Sequence, residues 1–183
     1  MFSIDKQNMI EDILKSAIRD IPDFPKPGII FKDITTVLTD PKVTNQVLDY
    51  LVELYKDQEI DVITGIESRG FLFGFALATR LNLPFVLIRK KGKLPYEIIS
   101  YDYDLEYGTS TVEMHVDAIQ KGQRVLIHDD LLATGGSAEA AARLIEKVGG
   151  KVVGFNFLVE LAFLEGRKKI EGICENIESL ATY

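Results

Sequence analysis

The chain has 183 residues, 46% of them hydrophobic, and carries 28 acidic against 21 basic residues for a net charge of −7. That length suits one domain with a sizeable core. The acidic balance speaks against a general nucleic-acid binder, whose surface is basic, so any phosphate has to be held locally. No apolar run approaches a membrane span and no basic-then-apolar signal pattern opens the chain. The lone Cys174 excludes an intrachain disulfide and a cysteine zinc site, which makes a cytoplasmic setting the simplest.

Ile4 to Ile21 reads as an amphipathic helix, with Ile10, Ile13, Leu14, Ala17, Ile18 and Ile21 on one stripe. Pro22 to Gly28 holds three prolines, which remove donors and fix φ, so it is a stiff loop. Ile29 to Ile34 is an apolar edge that either joins the core or stacks Ile30 and Phe31 on a flat ring. Val43 to Tyr55 is a second amphipathic helix. Ile60 to Ile66 is a strand that runs into Glu67-Ser68-Arg69-Gly70 and then a helix from Phe71 to Leu81. Arg69 sits beside that helix N-terminus, where an anion meets both the dipole and a guanidinium; the other reading is a surface arginine paired with Glu67. Pro84 to Ile88 is a third strand, followed at once by four cations in the five residues Arg89 to Lys93. Such a run is a solvated face or, at a strand end, an anion clamp.

Tyr96 to Gly108 is the least regular tract, with a weak strand around Ile98 to Tyr101 and the character of a lid. Thr111 to Val116 alternates as a half-exposed strand, with Glu113 and His115 on its polar face. From Arg124 to Ser137 the order is a strand (Val125 to Ile127), an acidic pair (Asp129, Asp130) and a small-residue turn (Ala133 to Ser137), then a helix from Ala138. Glycines let successive N–H groups point at an anion, and a helix N-terminus adds unpaired donors and a partial positive charge. Thr134 and Ser137 add hydroxyls, and Ser137 also suits a helix cap. Carboxylates beside such a cradle repel a bare phosphate but accept from sugar hydroxyls or meet Mg²⁺, so the stretch fits a ribose 5-phosphate. Gly135-Gly136 alone is a βα turn and Asp129-Asp130 alone a solvated strand end; the order as a whole favours a site. Neither G-x-G-x-x-G nor a G-K-[ST] loop is present. His128 reads as structural, with an electrostatic influence on Asp129 left open. Lys151 to Glu160 is a further strand, and residues 165–183 finish the fold or contact a second subunit. At least four strands of parallel type alternate with helices, so the class is α/β, an open sheet with helices on both faces.

Asp129-Asp130-Leu131-Leu132-Ala133-Thr134-Gly135-Gly136-Ser137 resembles the phosphoribosyl-pyrophosphate (PRPP) motif of the type I phosphoribosyltransferases, in the wording of the adenine phosphoribosyltransferases. Phe24 to Asp33 is similar to the family's hood segment, Glu67 to Gly70 to its pyrophosphate loop, and Leu105 to Gly108 to its flexible catalytic loop. The resemblance runs from about Pro22 to Leu161. It implies one phosphoribosyltransferase domain over 1–183, a mainly parallel twisted sheet with a hood (about 22–34) and a flexible loop (about 93–110) above the strand C-terminal ends.

The implied reaction is adenine + PRPP → AMP + pyrophosphate, a Mg²⁺-dependent step of purine salvage. By the same resemblance Ala133, Thr134, Gly135, Gly136 and Ser137 hold the 5-phosphate, and Asp129 and Asp130 the ribose hydroxyls. Glu67, Ser68 and Arg69, with Lys90 and Lys93, hold the pyrophosphate, and the peptide between Glu67 and Ser68 is cis. Ile30, Phe31 and backbone near Lys32 take adenine, and Glu106 handles the proton. No residue is a dedicated metal ligand; Mg²⁺ arrives with PRPP, with Asp129 or Asp130 as its candidate protein contact. The implied partners are these small molecules and a second copy in a homodimer, with no nucleic acid and no membrane. Two alternatives stand beside this reading: the same fold acting on another base, and a regulator that keeps the motif but binds nucleic acid.

Overall fold

Strand β3 (Val62–Ile66) is buried at every residue, as a strand covered by helices on both faces requires. The structure, a computed structural model, describes residues 4–24, 26–104 and 108–183. Around β3, a seven-stranded sheet forms with β4 (Phe85–Lys90), β5 (Ile98–Asp104), β6 (Thr109–His115), β7 (Arg124–Leu132), β8 (Lys151–Glu160) and β9 (Ile177–Thr182). Its order is β5-β6-β4-β3-β7-β8-β9. The strands from β4 to β9 across β3, β7 and β8 are parallel, and β6 and β5 add an antiparallel edge. The chain leaves β3 toward β4 on one side and later returns to β7 on the other. The crevice between the C-terminal ends of β3 and β7 is therefore the topological switch point, where open α/β sheets bind ligands.

Helices α1 (Ile4–Ala17), α3 (Pro41–Tyr55) and α4 (Gly70–Leu81) cover one face, and α5 (Gly136–Lys147) the other. The period-2 alternation of β7 serves both: Val125 and Ile127 pack with Ala141 and Leu144 of α5, while Leu126 packs with Leu51 and Phe73. α3 starts where Asp40 accepts from the N–H groups of Lys42 (2.9 Å) and Val43 (3.3 Å), with Pro41 in the first turn. A separate antiparallel ribbon, β1 (Arg19–Pro22) with β2 (Ile30–Asp33), carries the proline-rich loop, and the short α2 (Thr35–Leu38) follows it.

Several sequence expectations shift here. The first helix stops at Ala17 rather than Ile21, because Arg19 to Pro22 pair with Ile30 to Asp33 instead; the apolar stripe runs on through the boundary and hides it. β5 is seven residues long, in full register with β6, not a weak strand of four. Glu113 is buried rather than solvated, since its carboxylate accepts from Gly92 N–H (2.8 Å). β7 runs on to Leu132, so Asp129 and Asp130 lie inside the strand instead of after it. Residues 165–183 finish the fold: α6 (Arg167–Ile170) leads into β9, which pairs in parallel with β8.

Candidate active site

A small-residue cradle is built at the end of β7, where the sequence predicts a phosphate. Gly135, at φ 78°, takes the left-handed conformation that turns the chain into α5. It is the N-cap of α5, and its carbonyl accepts the first helical bond from Glu139 N–H (2.9 Å). The N–H groups of the first turn have no partner inside the helix and border a cavity of about 70 Å³ lined by Asp129 and by Leu131 to Ala138. Ala133, Thr134, Gly135, Gly136 and Ser137 are thus brought together on one concave wall. Ser137 does not cap the helix as its side chain would allow; its Oγ lies 3.2 Å from the hydroxyl of Tyr103 on β5. From behind, Gly166 presses on this turn, where a Cβ would lie 2.2 Å from the Ala133 carbonyl oxygen. Arg167, beside it, is held by Glu160 through Nη2 (2.6 Å) and Nε (3.1 Å).

The acidic pair sits next to the cradle. Asp130 is buried and accepts from Arg69 Nε at 2.5 Å, an ion pair spanning β7 and the α4 N-terminus. Asp129 accepts from the Asp130 N–H (2.9 Å). Its carboxyl is pushed well above the ordinary range by burial and by the negative charge of Asp130. α4 approaches closely because residue 70 is glycine: a Cβ there would stand 2.8 Å from Asp129 Oδ1 and 2.9 Å from the His128 carbonyl. His128 is fully buried behind the pair, with Nδ1 2.7 Å from Asn156 Oδ1. An amide oxygen only accepts, so Nδ1 carries the proton. Burial pushes this imidazole down to about 4, so it is neutral at pH 7 and brings no charge to Asp129.

Across the crevice, the peptide bond between Glu67 and Ser68 is cis, and Ser68 is exposed beside Arg69. The Glu67 carboxylate is occupied: it accepts from Lys90 N–H (2.9 Å) and Arg89 Nη2 (3.3 Å) and faces Lys93 Nζ (3.4 Å). Burial works against its ionisation, but these donors hold its carboxyl below the usual range. Its place in the loop is therefore to hold the cations, while the exposed Lys90 side chain stays available. A cavity of about 30 Å³ lined by Glu67, Arg89, Lys90, Tyr103 and Ser137 joins this loop to the cradle.

The ribbon forms the third wall. A cavity of about 380 Å³ is lined by Ile21, Phe24, Phe31, Asp33, Ile34, Thr35 and Arg69. Phe24 and Phe31 meet edge to face at 5.2 Å, leaving an apolar slot that opens toward Arg69. Ile30, 56% exposed, is not on this wall. The Lys32 side chain turns away, with Nζ 2.7 Å from Asp20 and 3.8 Å above the Tyr183 ring, so only its backbone can face a ligand in the slot. Asp33 ties the ribbon down: it accepts from Thr35 Oγ1 (2.7 Å), Arg19 Nη2 (2.5 Å) and Thr35 N–H (3.0 Å), which hold its carboxyl down to about 2. Glu106 lies outside the described residues. Among those described, no group of three or more His, Cys, Asp or Glu side chains could hold a metal.

Small-residue cradle, acidic pair, basic loop and aromatic slot thus share one crevice, and the comparisons name the family. Residues 33–180 match the phosphoribosyl transferase domain family. The chain is 49% identical over 177 residues to the adenine phosphoribosyltransferase of Cytophaga hutchinsonii, covering 97% of this chain and 98% of that one. The chain belongs to the phosphoribosyl transferase family, in its adenine phosphoribosyltransferase branch. Among solved structures it superposes on the adenine phosphoribosyltransferase of Thermoanaerobacter pseudethanolicus with a TM-score of 0.90, at 52% identity, covering 95% of this chain and 99% of that one. The Saccharomyces cerevisiae enzyme, complexed with an imino-altritol bisphosphate and adenine, superposes with a TM-score of 0.87 at 40% identity over 94% of this chain and 99% of its own. Against this family background, sequence reasoning placed Phe24 in the hood without singling it out as a wall of the slot, and missed Tyr103 and the close packing of Gly70 and Gly166. Only Phe24 and Tyr103 carried a local signal, as aromatics beside a proline loop and in a lid.

Proposed function

We propose that the chain transfers the 5-phosphoribosyl group of PRPP to N9 of adenine, giving AMP and pyrophosphate in purine salvage. The observation that carries this reading is the shared crevice: an anion cradle at the α5 N-terminus, two carboxylates beside it, and an aromatic slot with room for a purine across Arg69. The α5 N–H groups and Ser137 take the 5-phosphate. Asp129 and Asp130 accept from the ribose hydroxyls. Arg69, Lys90 and Lys93 face the departing pyrophosphate. The C1–O bond to pyrophosphate breaks as the N9–C1 bond forms on the opposite face, and N9 gives up its proton, with Glu106 as the proposed acceptor. Catalysis here is positioning plus electrostatics against developing charge. Phe24 and Phe31 hold the ring, and backbone near Lys32 reads its edge.

The donor set fits a Mg²⁺ that arrives on the diphosphate. Mg²⁺ is commonly bound by one or two carboxylates plus substrate phosphates, and Asp129, which forms no ion pair among the described residues, is the best placed. The ion would neutralise pyrophosphate charge. A homodimer is supported by an apolar face formed by Leu72 and Phe75 of α4, 46% and 60% exposed, beside Leu87 of β4. A cytoplasmic setting is the reading that the single cysteine supports.

The deciding experiment measures AMP formation from PRPP and Mg²⁺ with adenine, hypoxanthine, guanine or xanthine offered separately. Turnover with adenine alone is expected. Turnover with another base would keep the cradle and discard the slot assignment. Sedimentation of wild type and Phe75→Lys tests the dimer face, with a shift to monomer expected in the variant.

A further inference from the structure

Tyr103 of β5 reaches the cradle. Its ring packs against the core beneath α5 and lines the small cavity between the cradle and the basic loop, and its hydroxyl lies 3.2 Å from Ser137 Oγ. Each hydroxyl has one proton and two lone pairs, so either can donate while the cradle is empty. A phosphate in the cradle removes that freedom. A hydrogen bond to an anion is roughly twice as strong as one between neutral groups, so the Ser137 proton goes to the phosphate. The contact then survives only with Tyr103 as donor and Ser137 Oγ as acceptor.

We infer that Tyr103 is a positioning residue of the 5-phosphate site, whose O–H donates to Ser137 Oγ and turns the only proton of that serine toward the phosphate. This rests on the assignment of the cradle to the 5-phosphate. Without the Tyr103 donor, Ser137 is free to spend its proton elsewhere, and the cradle has to be ordered when PRPP binds. The Tyr103 hydroxyl needs no contact with the substrate. Thr109 to His115 of β6 hold β5 along its whole length, which fixes the ring.

The test is a double-mutant cycle of Tyr103→Phe, Ser137→Ala and the double variant, with KM for PRPP, KM for adenine and kcat read separately. Phenylalanine keeps the ring, so a merely structural Tyr103 would leave every constant unchanged. The expected result is a rise in KM for PRPP of about 2- to 10-fold in Tyr103→Phe, the range of one neutral hydrogen bond, with KM for adenine unmoved. Ser137→Ala should cost more, and the double variant no more than Ser137→Ala alone. Calorimetry with ribose 5-phosphate and with pyrophosphate completes the test, and only the former should bind Tyr103→Phe more weakly. Wild-type constants in Tyr103→Phe, additive effects in the double variant, or a loss confined to pyrophosphate would each overturn the inference. A wild-type protein that fails to bind ribose 5-phosphate would instead overturn the cradle assignment, and the inference with it.

Discussion

Removing either partner of the Arg69–Asp130 ion pair should have opposite weights on stability and activity. Asp130 is 8% exposed and Arg69 43% exposed in their side chains. In Arg69→Met the carboxylate stays buried without its cation, beside the already crowded Asp129. Breaking a buried pair in this way costs about 3–5 kcal/mol. Arg69 already stands part-exposed, so water that takes its place keeps the cost at the lower end, and for a chain of this size about 3 kcal/mol lowers Tm by about 6–12 °C. In Asp130→Asn the group left behind is a guanidinium that water already reaches, and asparagine still accepts from it. That cost is at most about 1 kcal/mol, or about 2–4 °C. Catalysis reverses the order of interest. A hydrogen bond to a charged group contributes about 1.5–3 kcal/mol, so losing one such bond to the ribose lowers kcat/KM for PRPP by about 10- to 150-fold. Calorimetric melting and steady-state kinetics on the two variants check both numbers. Equal melting temperatures, or a near-normal kcat/KM in Asp130→Asn, would refute the reasoning.

Asp129→Asn relieves a partly buried carboxyl that both burial and Asp130 hold high, while its amide oxygen still accepts from Asp130 N–H. It should raise Tm at pH 7 by about 2 °C or more and weaken PRPP binding, read by melting and by calorimetry on one sample. Gly166→Ala puts a Cβ 2.2 Å from the Ala133 carbonyl oxygen and 2.8 Å from Gly135 N at an ordinary helical φ, so only the close approach is perturbed. KM for PRPP should rise by about 10- to 100-fold, the scale of a displaced binding group, with adenine binding little changed. The Asp33 carboxyl, held down to about 2 in the folded chain against about 3.9 unfolded, adds stability that is complete above about pH 4. That contribution is lost as pH falls through about 2. Protection of the β1–β2 amides against hydrogen exchange, relative to the free chain at the same pH, should fall over this window, and Asp33→Asn should be the less stable protein above it and lose its deficit below.

The alternation of apolar strands with helices was legible because burial on two faces leaves continuous runs such as Val62 to Ile66, and a helical stripe such as Leu48, Leu51 and Tyr55 is periodic. The cradle was legible for a similar reason: glycines, hydroxyls and a helix start lie in one short stretch, so a local pattern contains the whole device. Strand ends were less so. Asp129 and Asp130 look like the close of a strand, yet β7 continues through them, because the mouth of the crevice is polar while its backbone still pairs with β8. The end of α1 was hidden because Ile18 and Ile21 keep to the apolar stripe after the helix hydrogen bonds give way to the ribbon.

The sequence by itself determined which chemical groups this protein has and which of them are neighbours along the chain: an acidic pair joined to a phosphate turn, a basic run after a strand, a proline-stiffened aromatic loop. Only the tertiary structure decided partners. Arg69 meets Asp130 from 61 residues away, Tyr103 meets Ser137 from 34, Lys32 spends its charge on Asp20 and Tyr183, and Glu67 pairs with Arg89 and Lys93 rather than with Arg69. The physical reason is that local pattern encodes which face a residue takes, whereas the choice of hydrogen-bond partner depends on sheet order and on close approaches such as Gly70 on β7 and Gly166 on the phosphate turn. Those depend on backbone geometry summed over the whole fold.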